Sequence, residues 1–268
     1  MKTMQRTLLV MGFLSIAGLT ALSQSPSLST TLDNLRSNDE QIRLNAARSL
    51  PYAWQAAPDR RALVDQIIPL LSSSDQHVKL AVLTTLEQIG LLHPDEAPVF
   101  AKSKQALLQA SEDPLLDVRQ YAIAVLGMTR GAPDEDLKKV ALRAFADPSH
   151  KVRRVALGVI SFKKFNDPVI VNGVLALASS NPGDLSQAID ALGDIASTDP
   201  RAIQLFVNAL RGDSVYVKQS SLMALGKSPK AATAALPTLR QLVADPKENE
   251  GIKVLAKEVI KKVEGETR

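Results

Sequence analysis

The sequence predicts an all-α array of about seven helical hairpins, and three observations carry that expectation. An apolar anchor recurs at Ile42, Val78, Val118, Val152, Asp184, Val217 and Ile252, at spacings between 32 and 40 residues with a mean of 35. Only the fifth position, Asp184, is not apolar. Each anchor opens a run with helical periodicity and is preceded by a second apolar run with the same period. Turn-forming dipeptides separate the runs, and no alternating stretch suggests a strand. Self-similarity at a period of 20 to 50 residues marks an array in which each unit buries its faces against its neighbours.

The composition agrees with this. The chain has 268 residues, 45% of them apolar and 22% charged, which is the make-up of a folded, soluble domain rather than a disordered one. There is no cysteine, which excludes disulfide staples, thiolate metal sites and cysteine nucleophiles. The net charge of +4 is small for this length and comes without a polybasic tract.

At the N-terminus, Lys2 and Arg6 precede an uncharged stretch from Leu8 to Leu22, followed by the small polar run Ser23, Gln24, Ser25 and Pro26. That is the layout of a secretory signal. Its apolar stretch is shorter than the ~20 residues needed to span a bilayer. Ala21 and Ser23 present small side chains where a signal peptidase reads, so residues 1 to 23 are expected to be a signal peptide cleaved before Gln24. Residues 24 to 268 then form one solenoid domain, periplasmic or secreted, without stable membrane insertion. Cleavage removes two bases and leaves a net charge of +2 over 245 residues, which is seven units of 35.

Within each unit, the fourth residue after the anchor is small or β-branched: Ala46, Val82, Ala122, Ala156, Ala188, Ser221 and Ala256. The eighth is Leu or Ile: Leu50, Leu86, Leu126, Ile160, Leu192, Leu225 and Ile260. Spacing of four places these rows on one helical face, and the small row lets a neighbouring helix approach closely. The preceding helices carry Leu63, Ile67 and Leu71; Ala106, Leu107 and Ala110; Val140, Leu142 and Phe145; Val174 and Leu177; Ile203, Phe206 and Leu210; and Leu239 and Leu242. Asp147-Pro148, Asn181-Pro182-Gly183, Asp199-Pro200 and Asp245-Pro246 supply caps and breaks between helices. Pro69 and Pro237 fall inside apolar runs and predict kinks there.

A turn acid or Asn followed by apolar-basic-x-x-small-x-x-x-Leu-Gly is similar to the HEAT-repeat family of armadillo-like helical repeats. Asp117 to Gly127 and Val217 to Gly226 match best, and the resemblance covers about residues 29 to 263. It implies a right-handed superhelix whose second helices line a concave binding surface. It also implies a choice of functions, because HEAT-like families include bilin-attaching lyases and DNA-alkylation glycosylases as well as protein-binding scaffolds.

A search for chemistry finds little. His77, His93 and His150 lack the spacing of a helical zinc site and fail the His-Glu pairs of a HEAT-like di-iron class. Gly226-Lys227-Ser228 imitates the end of a phosphate loop, but it closes a helix, and the first Gly is replaced by Ser221. No nucleophile elbow is present, and no cofactor is expected.

The strongest polar regularity is the base after the anchor, at Arg43, Lys79, Arg119, Arg153, Lys218 and Lys253. It is expected to form an inter-repeat ladder with acids such as Asp39, Asp75, Asp117, Asp147 or Asp213, and its alternative use is a stripe for a phosphodiester backbone. Aromatics interleave with bases at Phe162 to Phe165, and Tyr52 and Trp54 mark the first connection; both sites fit plugs of hairpin ends better than base-stacking platforms. Two residues past each anchor, at Leu44, Leu80, Gln120, Arg154, Ser186, Gln219 and Val254, the helix faces away from the core, and the polar positions singled out in that row are Gln120, Arg154 and Gln219. These are the expected contacts for a protein or peptide partner. The function expected is therefore an exported, non-catalytic, monomeric interaction scaffold that binds no nucleic acid, with a lyase-type enzyme or a nucleic-acid binder as the alternative.

Overall fold

A computed structural model describes residues 27–92, 103–129 and 134–266. The expected signal segment 1–23 and His93 lie outside the described residues. The described chain is helical and, among these residues, contains no strand.

The chain divides into two compact units, with the boundary between Thr85 and Leu86. The first contains α1 (Leu28–Asn34), α2 (Glu40–Ala53), α3 (Arg60–Ile67) and the greater part of α4 (Gln76–Leu92). The second contains five hairpins, α5 (Lys104–Ala110) with α6 (Leu116–Met128), α7 (Glu135–Phe145) with α8 (His150–Phe162), α9 (Pro168–Ser180) with α10 (Leu185–Ile195), α11 (Pro200–Ala209) with α12 (Val215–Leu225), and α13 (Leu236–Ala244) with α14 (Glu250–Glu266). In the second unit the two helices of each hairpin pack together, and the second helices also pack in series, α6 on α8, α8 on α10, α10 on α12 and α12 on α14.

The helices start where the sequence places short oxygen-bearing side chains. Asp39, Asp59, Asp134, Asp167 and Asp199 each accept a backbone N–H from the first turn of the helix that follows, as do Ser149 and Ser214. These bonds satisfy amides that have no partner within the helix. Pro168 and Pro200 sit at the first helical position, where a missing N–H costs nothing.

The two prolines expected to kink helices act differently. Pro69 ends α3, and the chain continues as the 3-10 segment Ile68–Ser72. Pro237 stands at the start of α13, just after the 3-10 segment Ala231–Ala235. Each is placed where its ring displaces no α-helical hydrogen bond. The proline inside a helix is Pro51, in α2.

The small row is buried throughout, from Ala46 to Ala256, and the row of eighth positions is buried up to Leu225. Ile42 departs from the pattern at 41% exposure, since the seven-residue α1 covers only part of α2. Between second helices the closest approaches come one residue beyond the Leu row. A Cβ on Gly127 would lie 2.5 Å from Val159 Cγ2, and one on Gly193 would lie 2.8 Å from Ala224 Cβ. Glycine at the ninth position after the anchor therefore meets the seventh position of the next second helix. That contact sets how closely the hairpins stack.

Asp184, the acid at an anchor position, keeps the repeat in register. Ala188 and Leu192, four and eight residues on, are fully buried, and Asp184 itself is 1% exposed. Its charge is compensated: Arg153 Nε donates to Asp184 Oδ2 at 2.5 Å.

Candidate functional site

Three of the bases after the anchors, Arg43, Arg119 and Arg153, lie between hairpins and share one geometry. Arg43 Nε donates to Asp75 Oδ2 at 2.8 Å, and its Nη1 donates to the carbonyls of Ser37 and Asn38 at 2.9 and 3.0 Å. Arg119 does the same with Asp147 at 2.9 Å and with the carbonyls of Asp113 and Pro114, both at 2.9 Å. Arg153 repeats it with Asp184 and the carbonyls of Asp147 and Pro148. Each guanidinium thus closes the turn of its own hairpin and grips an acid in the next turn, which the planar five-donor fork of arginine permits. Lys218 pairs with Glu248. Burial alone would raise the carboxyls of Asp75 and Glu248, but the hydrogen bonds from Arg43 and Lys218 hold both below their ordinary values.

The expected acids are not all used. Asp75 and Asp147 take part, while Asp39 caps α2, Asp117 sits exposed in the first turn of α6, and Asp213 is exposed on the connection before α12. The acids in these pairs always come from the following turn, because a base at the first turn of one second helix points toward the next hairpin. Lys253 bonds Glu250 at 2.8 Å within its own helix, and Lys79 is half-buried in α4. The fifth unit has Leu185 where the others have a base, and there Ser186 Oγ meets Ser220 Oγ at 2.9 Å, joining α10 to α12.

First helices carry a similar series that the sequence did not announce. Lys104 bonds both Asp134 and Asp136 at 2.6 Å, Lys138 bonds Asp167 at 2.9 Å, and Arg201 donates to Asn172 Oδ1 at 2.6 Å. A base in the first turn of α5 or α7 reaches the N-cap aspartate of the next first helix, so one carboxylate serves both cap and bridge. A cleft of 480 Å³ between α9 and α11 is lined by Asn172, Leu175, Ser179, Arg201, Gln204 and Asn208.

Gln120, Arg154 and Gln219 occupy one row on the outward side of α6, α8 and α12, with Gln120 half-buried and the other two exposed. Four and eight residues further on, the same side of α8 carries Gly158 and Phe162, while α12 carries Met223, with Lys227 in the turn after it. On α10 the corresponding residues are Ser186, Asp190 and Asp194. The second helices therefore present an exposed face three rows deep, of which the sequence reading named only the first row.

Its third row contains the most tightly held polar group on this face. Asp194 Oδ1 accepts from Lys164 Nζ and Lys227 Nζ, both at 2.8 Å, and Asp194 Oδ2 accepts from Ser161 Oγ. Burial would raise this carboxyl, but the two ammonium groups and the hydroxyl lower it to about 2. The Lys227 that resembled the end of a phosphate loop is thus engaged by a carboxylate at a helix end. Lys163 donates to the Thr129 carbonyl, and burial lowers its ammonium.

Trp54 is buried under the first connection with the Arg60 guanidinium 5.6 Å from its ring, whereas Tyr52 is exposed. Phe165 is half-buried, and Phe162 stands 72% exposed. His77 donates its backbone N–H to Asp75, and both His77 and His150 are exposed at the starts of second helices. Among the described residues no group of three metal-ligating side chains assembles.

No family model matches the chain, and no curated protein matches it. Solved structures do. An engineered protein from a structural genomics consortium superposes with a TM-score of 0.62 at 19% identity, over 88% of this chain and 67% of its own. A designed armadillo repeat protein gives 0.48 at 14% identity, over 88% of this chain and all of its own. Another, solved with a (KR)4 peptide, gives 0.47 at 16%, over 89% and 100%. The first of these shares its fold with this chain, an all-α repeat of helical hairpins.

Proposed function

We propose that this protein is an exported, monomeric, non-catalytic scaffold that holds a protein or peptide partner along the exposed face of its second helices. The observation that carries the reading is the division of labour on those helices. One side is buried in the hairpin stack, and the bases at their first turns bridge to neighbouring turns. The third side faces out of the stack, with Arg154 and Gln219 exposed and Gln120 half-buried in its first row. A firm frame with an open, mixed polar and apolar face suits recognition, because contacts on rigid elements lose little entropy on binding.

The polar groups argue against an enzyme. Asp194, the most strongly perturbed acid on this face, is held ionised far below neutral pH and is saturated with donors, so it is not poised to exchange a proton. Use of the ladder bases on a phosphodiester is disfavoured by the carboxylates that already hold four of them. Export rests on residues 1 to 23, and intact mass of the secreted chain checks it: loss of those residues is expected, and retention of Lys2 and Arg6 contradicts it. The face is tested by changing Gln120, Arg154 and Gln219 together to Ala. Partner binding is expected to fall while helicity and melting stay near wild type, and unchanged affinity moves the site elsewhere.

A further inference from the structure

Phe162, at 72% exposure, is the most exposed phenylalanine among the described residues, and it sits on the face proposed for binding. It ends a stripe on α8 that runs Arg154, Gly158, Phe162, spaced four apart and so aligned along one side of the helix. All three residues are exposed. The middle one is bare: a Cβ built on Gly158 meets nothing within 4 Å, so this glycine is not there to admit a neighbouring helix. It contrasts with Gly127 and Gly193, whose missing side chains are filled by Val159 and Ala224.

Glycine in the interior of a helix is destabilising relative to alanine, and at Gly158 no contact within the described chain offsets that. The arginine at the other end is equally uncommitted. Arg153, its neighbour, is bound to a carboxylate and two carbonyls, whereas Arg154 forms no ion pair among the described residues. Across the stripe, Lys164 and Lys227 both bond the carboxylate of Asp194, so their charges are engaged where that of Arg154 is not.

We propose that the Arg154–Gly158–Phe162 stripe is a docking notch for an extended acidic-apolar peptide segment. A carboxylate of the peptide pairs with the Arg154 fork, its main chain passes over the bare helix at Gly158, and an apolar side chain packs on Phe162. Eight residues of helix separate the two ends by ~12 Å, which an extended peptide covers in three to four residues. The recognised pattern is therefore an Asp or Glu and a Leu, Ile, Phe or Met three or four positions apart. Charge sets the class of occupant: an arginine with no ion pair among the described residues selects acidic segments over basic ones. This inference rests on the second-helix face being the binding face.

The test is selection of a random dodecapeptide phage library on the mature protein, with titration of the enriched synthetic peptides against wild type, Arg154→Glu and Gly158→Leu. The account expects enriched peptides with the acid-apolar spacing, and at least tenfold weaker binding to each variant. The Cβ that Gly158→Leu adds meets nothing within 4 Å, and an unchanged melting curve shows that the loss is not one of folding. Enriched peptides that lack the pattern, or that bind both variants as tightly as wild type, overturn the notch and leave the scaffold reading standing. Failure to enrich any peptide overturns the notch and leaves the scaffold reading to folded protein partners.

Discussion

Arg153 and Arg154 are consecutive residues of α8 with opposite commitments, and the pair tests what holds the hairpins together. Arg153 makes three hydrogen bonds, to Asp184 at 2.5 Å and to the carbonyls of Asp147 and Pro148 at 2.8 and 3.0 Å. Its partner carboxylate is 1% exposed. Arg153→Ala strands that carboxylate in the core, where removing one member of a buried pair costs ~3–5 kcal/mol. Arg154→Ala removes an exposed side chain, and its effect is expected within ~0.5 kcal/mol of zero. For a chain of this size ~1 kcal/mol corresponds to ~2–4 °C in Tm, so Arg153→Ala is expected to lower the melting midpoint by ~6 °C or more.

Replacing both members of the pair separates burial of a charge from loss of a contact. Five of the six other anchors are valine or isoleucine buried to some degree, and Arg153→Met with Asp184→Leu supplies the apolar anchor of those units. Well-packed apolar substitutes for buried ion pairs are often neutral or stabilising. The double variant is therefore expected to regain most of what Arg153→Ala loses. Thermal unfolding followed by circular dichroism reads all four proteins. Equal midpoints for Arg153→Ala and Arg154→Ala, or a double variant less stable than Arg153→Ala, would refute the reasoning.

Two helix glycines are expected to respond with opposite sign. Gly158→Ala enters open space and should raise stability by ~0.5–1 kcal/mol, whereas Gly127→Ala meets Val159 Cγ2 at 2.5 Å and should lower it by ~1–3 kcal/mol; denaturant titration showing the same sign for both contradicts the packing described. Asp194 predicts an acid dependence. Its folded value of about 2 lies below the ordinary 3.8, so its contribution is complete above pH ~4 and is lost as the pH falls toward 2. A depression of nearly two units corresponds to ~2 kcal/mol. Asp194→Asn should be less stable than wild type at pH 6 and converge on it near pH 2, and a constant difference across that range counts against the assignment.

The hairpins were legible because periodicity reports burial directly. Ala122, Ala156 and Ala188 recur at fixed offsets from their anchors and are all fully buried. Long-range choices left weaker traces. The ladder bases stand out as a series, but the acid each one meets is fixed by which turn lies opposite: Asp147, in the connection before Pro148, is engaged, whereas Asp117, inside the first turn of α6, is exposed. Asp184 looked like a break in the pattern because an acid at an apolar anchor is tolerated only with a base 31 residues earlier. Gly127, Gly158 and Gly193 look alike in sequence, yet two are filled by a neighbouring helix and one is open. Each follows a leucine, so the available signal was register: Gly127 and Gly193 stand nine residues after their anchors and Gly158 only six. The third row of the exposed face, with Phe162 and Asp194, followed from extending the offset of Gln120, Arg154 and Gln219 by eight residues.

The central claim is that partners contact the second helices rather than the first. A photoreactive amino acid placed at Gln219 on α12, and in a separate variant at Gln204 in the cleft between α9 and α11, tests it within the same hairpin. With a peptide selected on the mature protein as ligand, the account predicts a covalent adduct from position 219 and none from position 204. An adduct from position 204 with none from 219 would contradict it.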